Sequence, residues 1–174
     1  VSAIRSCRQI VLPLWADQIG LDATATALIY GIMGGVDMLL FYPAGRIMDL
    51  RGRLWVALPC MLIMGASLVG IPWTTGFASL LAVSLLLGFG NGIGSGIIMT
   101  MGADAAPGEN RNVFLGIWRV LSDTGTCLGP VLLSAMAAAV TLGAGVAATG
   151  VLGLLGAAVF WSWLPRGRGP ARVS

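Results

Sequence analysis

The sequence has no histidine and no lysine, so all ten of its basic residues are arginine, set against seven acids. Without histidine, His-ligated metal centres and His-dependent nucleophiles are excluded, and no metal or other cofactor is expected. Three cysteines, Cys7, Cys60 and Cys127, lie far apart inside apolar stretches and form no C-x-x-C pair. They suggest neither a disulfide framework nor a zinc site, and read as small buried hydrophobes. Charge itself is scarce: 10% of residues are charged and 57% are hydrophobic, where a soluble domain carries about 25% charge. Mean hydropathy is +0.90. A soluble fold could not hide this much apolar surface.

What is present is a series of long apolar stretches. Crossing the bilayer takes about 20 apolar residues in a helix, and 174 residues leave room for about six such spans. The expected fold is an all-α membrane domain over 1–174, with no soluble domain attached. Its helices are expected at about 3–19, 25–44, 54–71, 77–102, 113–140 and 144–164, followed by a basic cytoplasmic tail, 165–174. The pI is 9.2, but the arginines gather at span ends and form no stripe, so nucleic acid is not an expected partner. Arg5 and Arg8 before Ile10 to Ala16 resemble a signal peptide only superficially, since Pro13 interrupts the apolar core and no cleavage site follows.

Orientation follows from the arginines. Arg5, Arg8, Arg46, Arg51, Arg53, Arg111, Arg166, Arg168 and Arg172 all fall at alternate ends of a six-helix serpentine, while the other set of loops has Asp17 and Asp22 and no basic residue. The positive-inside rule then puts both termini in the cytoplasm. Trp15, Trp55, Trp73, Trp118, Trp161 and Trp163 lie near span ends, where interfacial anchors are expected.

Gly45 to Arg53, G-R-I-M-D-L-R-G-R, reads as a short, basic, glycine-hinged loop between the second and third spans. It resembles the G-x-x-x-D-R-x-G-R signature that the major facilitator superfamily carries between the second and third helices of each six-helix half. Leu50 stands where the family usually has a basic residue, with Arg51 next to it. A second likeness covers Gly125-T-C-L-Gly129-Pro130, similar to the G-x-x-x-G-P motif in the fifth helix of the superfamily's antiporters. The family's fourth-helix arginine is missing, with Gly88 at about its place. The resemblance implies one half of a twelve-helix transporter, built as two inverted three-helix repeats. Opening inside a helix without Met and ending in a short basic tail, the chain is expected to be the C-terminal half. Its partners would be the lipid bilayer, a small-molecule substrate, and either the missing N-terminal half or a second copy of the chain.

The repeat expectation has some support in the residues. The second helix reads Gly31, Asp37, Pro43 and the fifth Gly116, Asp123, Pro130, at spacings of six and seven residues respectively.

Several residues are candidates for function. Asp37 falls well inside the second span, where a charge costs about 2.5 to 3.5 kcal/mol on insertion scales. It is either a substrate- or proton-accepting carboxylate on a central cavity or a structural tie to a neighbouring helix. Arg119 and Asp123 are spaced i, i+4 and share a helix face, either as a coupling pair or as a static one. In the loop, the resemblance implies that Asp49, Arg51 and Arg53, flanked by Gly45 and Gly52, latch the cytoplasmic helix ends. The alternative is that these charges set topology and bind anionic lipid. Gly88, Gly92 and Gly96 make a small-residue ridge for close helix approach, and Asn91 could line a cavity with its amide. Gly150, Gly153 and Gly156 form a comparable stripe. The glycine-rich stretch fails the phosphate-binding spacing.

The leading function is secondary active transport of a small solute, drug or metabolite efflux included, in a plasma or bacterial inner membrane. One alternative is a truncated, non-transporting membrane fragment or assembly partner. The other is an intramembrane aspartyl protease using Asp37 and Asp123, although neither acid sits in a G-x-G-D context, Val36 and Ser122 preceding them. No enzyme is expected.

Overall fold

A computed structural model describes residues 1–106 and 110–163, with the side chains of Asp49, Arg51 and Trp163 outside that description. The expected tail 165–174 and Leu164 also lie outside the described residues.

The described chain is helical, with no strand. The helices are α1 (Ser2–Gln18), α2 (Ala23–Arg51), α3 (Leu54–Gly70), α4 (Phe77–Gly94), α5 (Ile97–Ala105), α6 (Arg111–Ala139) and α7 (Leu142–Trp163), with a single 3-10 turn, Ile71–Trp73, after α3. Among the described residues, five segments are long and apolar enough to cross a membrane, with α4 and α5 together counting as one. Six were expected; α1, with 17 residues and two arginines, is the one that falls short.

Two boundaries differ from the sequence reading. The expected loop from Gly45 is instead the last turns of α2, which runs on to Arg51. Gly45 is an ordinary helical residue with no atom near its missing Cβ, and the run R-I-M-D-L-R contains good helix formers. The true stop is Gly52, whose φ of 91° is open to glycine and which caps the helix through its N–H to Met48 O at 3.1 Å. The expected continuous helix over 77–102 is divided at Ser95 and Gly96. Glycine is costly inside a helix, and the G-N-G-I-G-S-G run concentrates that cost at one level of the bundle.

The helices form a ring in the order α2, α4, α3, α7, α6, α1. Within lipid the hydrophobic effect does not drive helices together, so close packing has to. Glycines supply it. A Cβ on Gly88 would lie 2.6 Å from Met33 O, and one on Gly92 would lie 2.7 Å from Asp37 O, so this ridge seats α4 against α2. Gly96 takes no part in that close approach, its nearest contact being Met48 Cε at 3.6 Å. A second ridge, Gly90 and Gly94, faces α3 at Met64 and Cys60. On the far side of α3, Gly65 and Gly150 abut reciprocally: a Cβ on the first would lie 2.9 Å from Gly150 O, and one on the second 2.7 Å from Gly65 O. Gly153 and Gly156 extend that seam along α3 to Gly65 and Met61.

The core behind these seams gathers Cys7, Val11 and Leu12 of α1 with Met61, Met64 and Leu68 of α3, Leu80 and Leu87 of α4, and Val146 of α7. Trp15 belongs inside as well and Trp118 is half-buried, contrary to the expectation that all six tryptophans are interfacial. Trp15 is buried and donates to Thr74 Oγ1 at 2.8 Å. Trp118 donates to Ile98 O at 2.9 Å and covers Gly102. Trp55, Trp73 and Trp161 are exposed, as anchors would be. Cys7 and Cys60 are buried, but Cys127 is exposed, because α6 buries little more than Gly129 and Leu133.

Candidate functional site

The ring closes between α1 and the α2/α4 pair, and it closes through polar groups. Tyr30 donates to Gln9 O at 2.6 Å. Arg8, at the end of the second turn of α1, reaches Asp37 midway along α2, with Nη2 3.4 Å and Nη1 3.5 Å from the same oxygen, Oδ2. Asn91 of α4 donates to that oxygen too, at 2.5 Å. Asp37 can reach Asn91 because Gly92 allows α4 to touch the α2 backbone beside it. The Arg8 and Asp37 side chains are 11% and 23% exposed, so each depends on the other to offset the cost of burying a charge.

Arg5, on the same side of α1 as Arg8, donates from Nη1 to the carbonyls of Gly94 and Ser95 at 3.2 and 3.4 Å. These are carbonyls at the α4/α5 break, and a cation there meets the negative end of the α4 dipole. The break and Arg5 therefore satisfy one another.

Beside this cluster lies a cavity of about 610 Å³, between α1, the α4/α5 break and α6. Arg5, Arg8 and Asn91 line one side, and Arg119 and Asp123 line the other. Arg119 Nε and Asp123 Oδ2 are 3.1 Å apart, the i, i+4 pair expected from the sequence. Both are more than half exposed in the isolated bundle. Hydroxyls of Ser6, Ser122 and Thr126 and the apolar side chains of Leu115 and Met99 complete much of the wall.

Away from the cavity, Arg53 forms an ion pair with Asp104 in the last turn of α5, tying the α2–α3 connection to the end of that helix. Gly125 and Gly129 lie where α1 crosses α6: a Cβ on Gly129 would collide with the Ala3 backbone, and one on Gly125 would touch Ser2. Pro130 follows within α6.

Residues 2–174 match the family model of the Major Facilitator Superfamily. The chain belongs to that superfamily. Comparison with curated proteins finds no match. Members of the Major Facilitator Superfamily are transporters rather than enzymes, and the five apolar spans agree with a multi-pass membrane protein.

Of the residues singled out from the sequence of this superfamily member, Asp37 and Asn91 come together, and Arg119 and Asp123 pair across the cavity from them. Arg53 meets an acid that was not foreseen, Asp104. Asp49 and Arg51 stay expectations, their side chains lying outside the described residues. Sequence reasoning missed Arg5 and Arg8 as site residues by counting them as topology signals. Their i, i+3 spacing places them on one face, and an apolar helix with two arginines on one face calls for an internal partner.

Proposed function

We propose that the chain works as part of a secondary active transporter, with a small solute passing by alternating access and this bundle supplying one wall of the pathway. The observation that carries the reading is the ion-paired cluster of Arg8, Asp37 and Asn91 beside a cavity at mid-span. Charges so placed are expensive in a membrane and mark substrate or ion pathways, and transporter sites lie near the midplane. The two 29-residue helices α2 and α6 support it: each has an acid near its middle and a proline in its second half, as inverted repeats would. Both also leave most of their surface uncovered by their own bundle. Those surfaces suit a second six-helix bundle, either from the same polypeptide or from a second copy. Cytoplasmic termini and a plasma or bacterial inner membrane complete the proposal.

The protease alternative loses its footing in the geometry. An aspartyl dyad shares a proton between touching carboxyls. Here Asp37 and Asp123 are each held by a separate arginine, and no hydrogen bond joins them among the described residues.

The test is uptake into proteoliposomes holding the protein purified from its native membrane, screened with neutral, anionic and cationic small solutes. Asp37→Asn, measured on protein that still unfolds cooperatively in detergent, is expected to lower saturable flux about tenfold or more, equivalent to ~1.4 kcal/mol, while Arg111→Gln leaves it unchanged. No saturable flux of any probe would sink the reading and favour the non-transporting alternative, and flux that survives Asp37→Asn would remove this cluster as the observation that carries it.

A further inference from the structure

We propose that the cavity selects an amphipathic organic anion, a small carboxylate with an apolar or aromatic body; this rests on the transport reading of the same cavity.

The charge balance of the wall points to an anion. Three guanidinium groups line it, those of Arg5, Arg8 and Arg119. The acids near them are Asp37 and Asp123, and each is already engaged by an arginine, Asp37 by Arg8 and Asp123 by Arg119. Arg5 pairs with no carboxylate among the described residues, and its hydrogen bonds go to two neutral backbone carbonyls. The wall thus has one cation in excess.

Donor geometry points the same way. Arg8 directs both terminal nitrogens at one oxygen of Asp37, at 3.4 and 3.5 Å, whereas charge-assisted bonds are about 2.7–2.9 Å long. Its Nε is buried, with no hydrogen-bond partner among the described residues, and the two terminal nitrogens, held at long range by a single oxygen, keep capacity for a second carboxylate.

The apolar part of the ligand follows from the α5 and α6 side, where Ile98, Met99, Leu115 and Trp118 line the cavity. Trp118 spends its N–H on Ile98 O, so the indole offers surface and no donor. At about 610 Å³ the space lies within the range of roughly 300–1,000 Å³ usual for drug-sized ligands. A cationic solute would meet three guanidinium groups and find both acids occupied.

The experiment is equilibrium binding to the purified protein in detergent with three probes of one shape: benzoate, benzamide and benzylammonium. Benzoate is expected to bind at least about tenfold tighter than either of the others. Arg8→Gln strands Asp37 and is liable to unfold the bundle, so the deciding variants are Arg5→Gln and Arg119→Gln. Each should weaken benzoate about tenfold and leave benzamide unchanged, with Arg111→Gln as the unaltered control. Equal or tighter binding of benzamide or benzylammonium, no binding of benzoate, or benzoate affinity indifferent to both variants would overturn the proposal. Flux separates it from the reading beneath it. Benzoate binding without proteoliposome flux would uphold the ligand class and remove transport, and saturable benzamide flux without benzoate binding would do the reverse.

Discussion

Gly92 of α4 lies against Asp37 of α2 so closely that a Cβ on the glycine would sit 2.7 Å from the Asp37 carbonyl oxygen and 2.9 Å from Leu40 Cβ. The obstructing atoms are backbone and the base of a side chain, so nothing flexible can yield. The carboxylate that receives Arg8 and Asn91 is therefore held at a set depth by the absence of a methyl group on the neighbouring helix.

Gly92→Ala should push α2 away, lengthen the Asp37 to Asn91 contact and destabilise the bundle by about 1–3 kcal/mol, as overpacking does. Gly116→Ala, at a helical position with nothing within 4 Å, should be neutral or stabilise slightly. Thermal unfolding in detergent compares the two. Equal melting temperatures would refute the packing role of Gly92.

Arg8→Gln and Asp37→Asn should each destabilise strongly, because each leaves a largely buried charge without its counterion. The double variant should recover part of the loss, with a coupling energy of about 1–3 kcal/mol in a double-mutant cycle. Strict additivity would mean that the two groups do not interact.

The Arg53 to Asp104 pair is partly open to solvent, its acid 51% exposed, so Asp104→Asn should change global stability by less than about 1 kcal/mol. If the pair latches the cytoplasmic side, the same substitution should still alter the labelling rate of a cysteine placed at Thr126 on the cavity wall. An unchanged rate would leave the pair a local tie.

Thiol chemistry checks the burial pattern. Cys127 is exposed, while Cys7 and Cys60 are buried. A small maleimide in detergent should modify Cys127 in the folded protein and the other two only after denaturation. Rapid modification of Cys60 would contradict the α3/α4 seam, where it lies under Gly94.

The helices were legible because hydropathy over about 20 residues is a local property, and Arg119 with Asp123 was legible because their i, i+4 spacing is local too. The α4 ridge was partly legible: Gly88 and Gly92 make the close approach, but which glycine faces which neighbour depends on the order of helices in the ring. The partner of Asp37 was not legible. Arg8 is 29 residues away in sequence, and nothing near either residue specifies the other. The same arginine counted toward the expected orientation, and that reading left its partner unsought. The end of α2 was not legible for a different reason: Gly45 and Gly52 both fall in the expected loop, and only the backbone angle shows that the helix ends at Gly52.

The reciprocal seam of Gly65 and Gly150 has a consequence for inheritance. Any missense change in a glycine codon adds a side chain, and here each residue meets the other's carbonyl oxygen. Neither partner has anything left to remove. A lesion at one position has no compensating reduction at the other, and suppressors would have to arise elsewhere, by displacing α3 or α7 as a whole. The seam is accordingly a place where one step costs the lineage its close packing and the neighbouring residue cannot restore it.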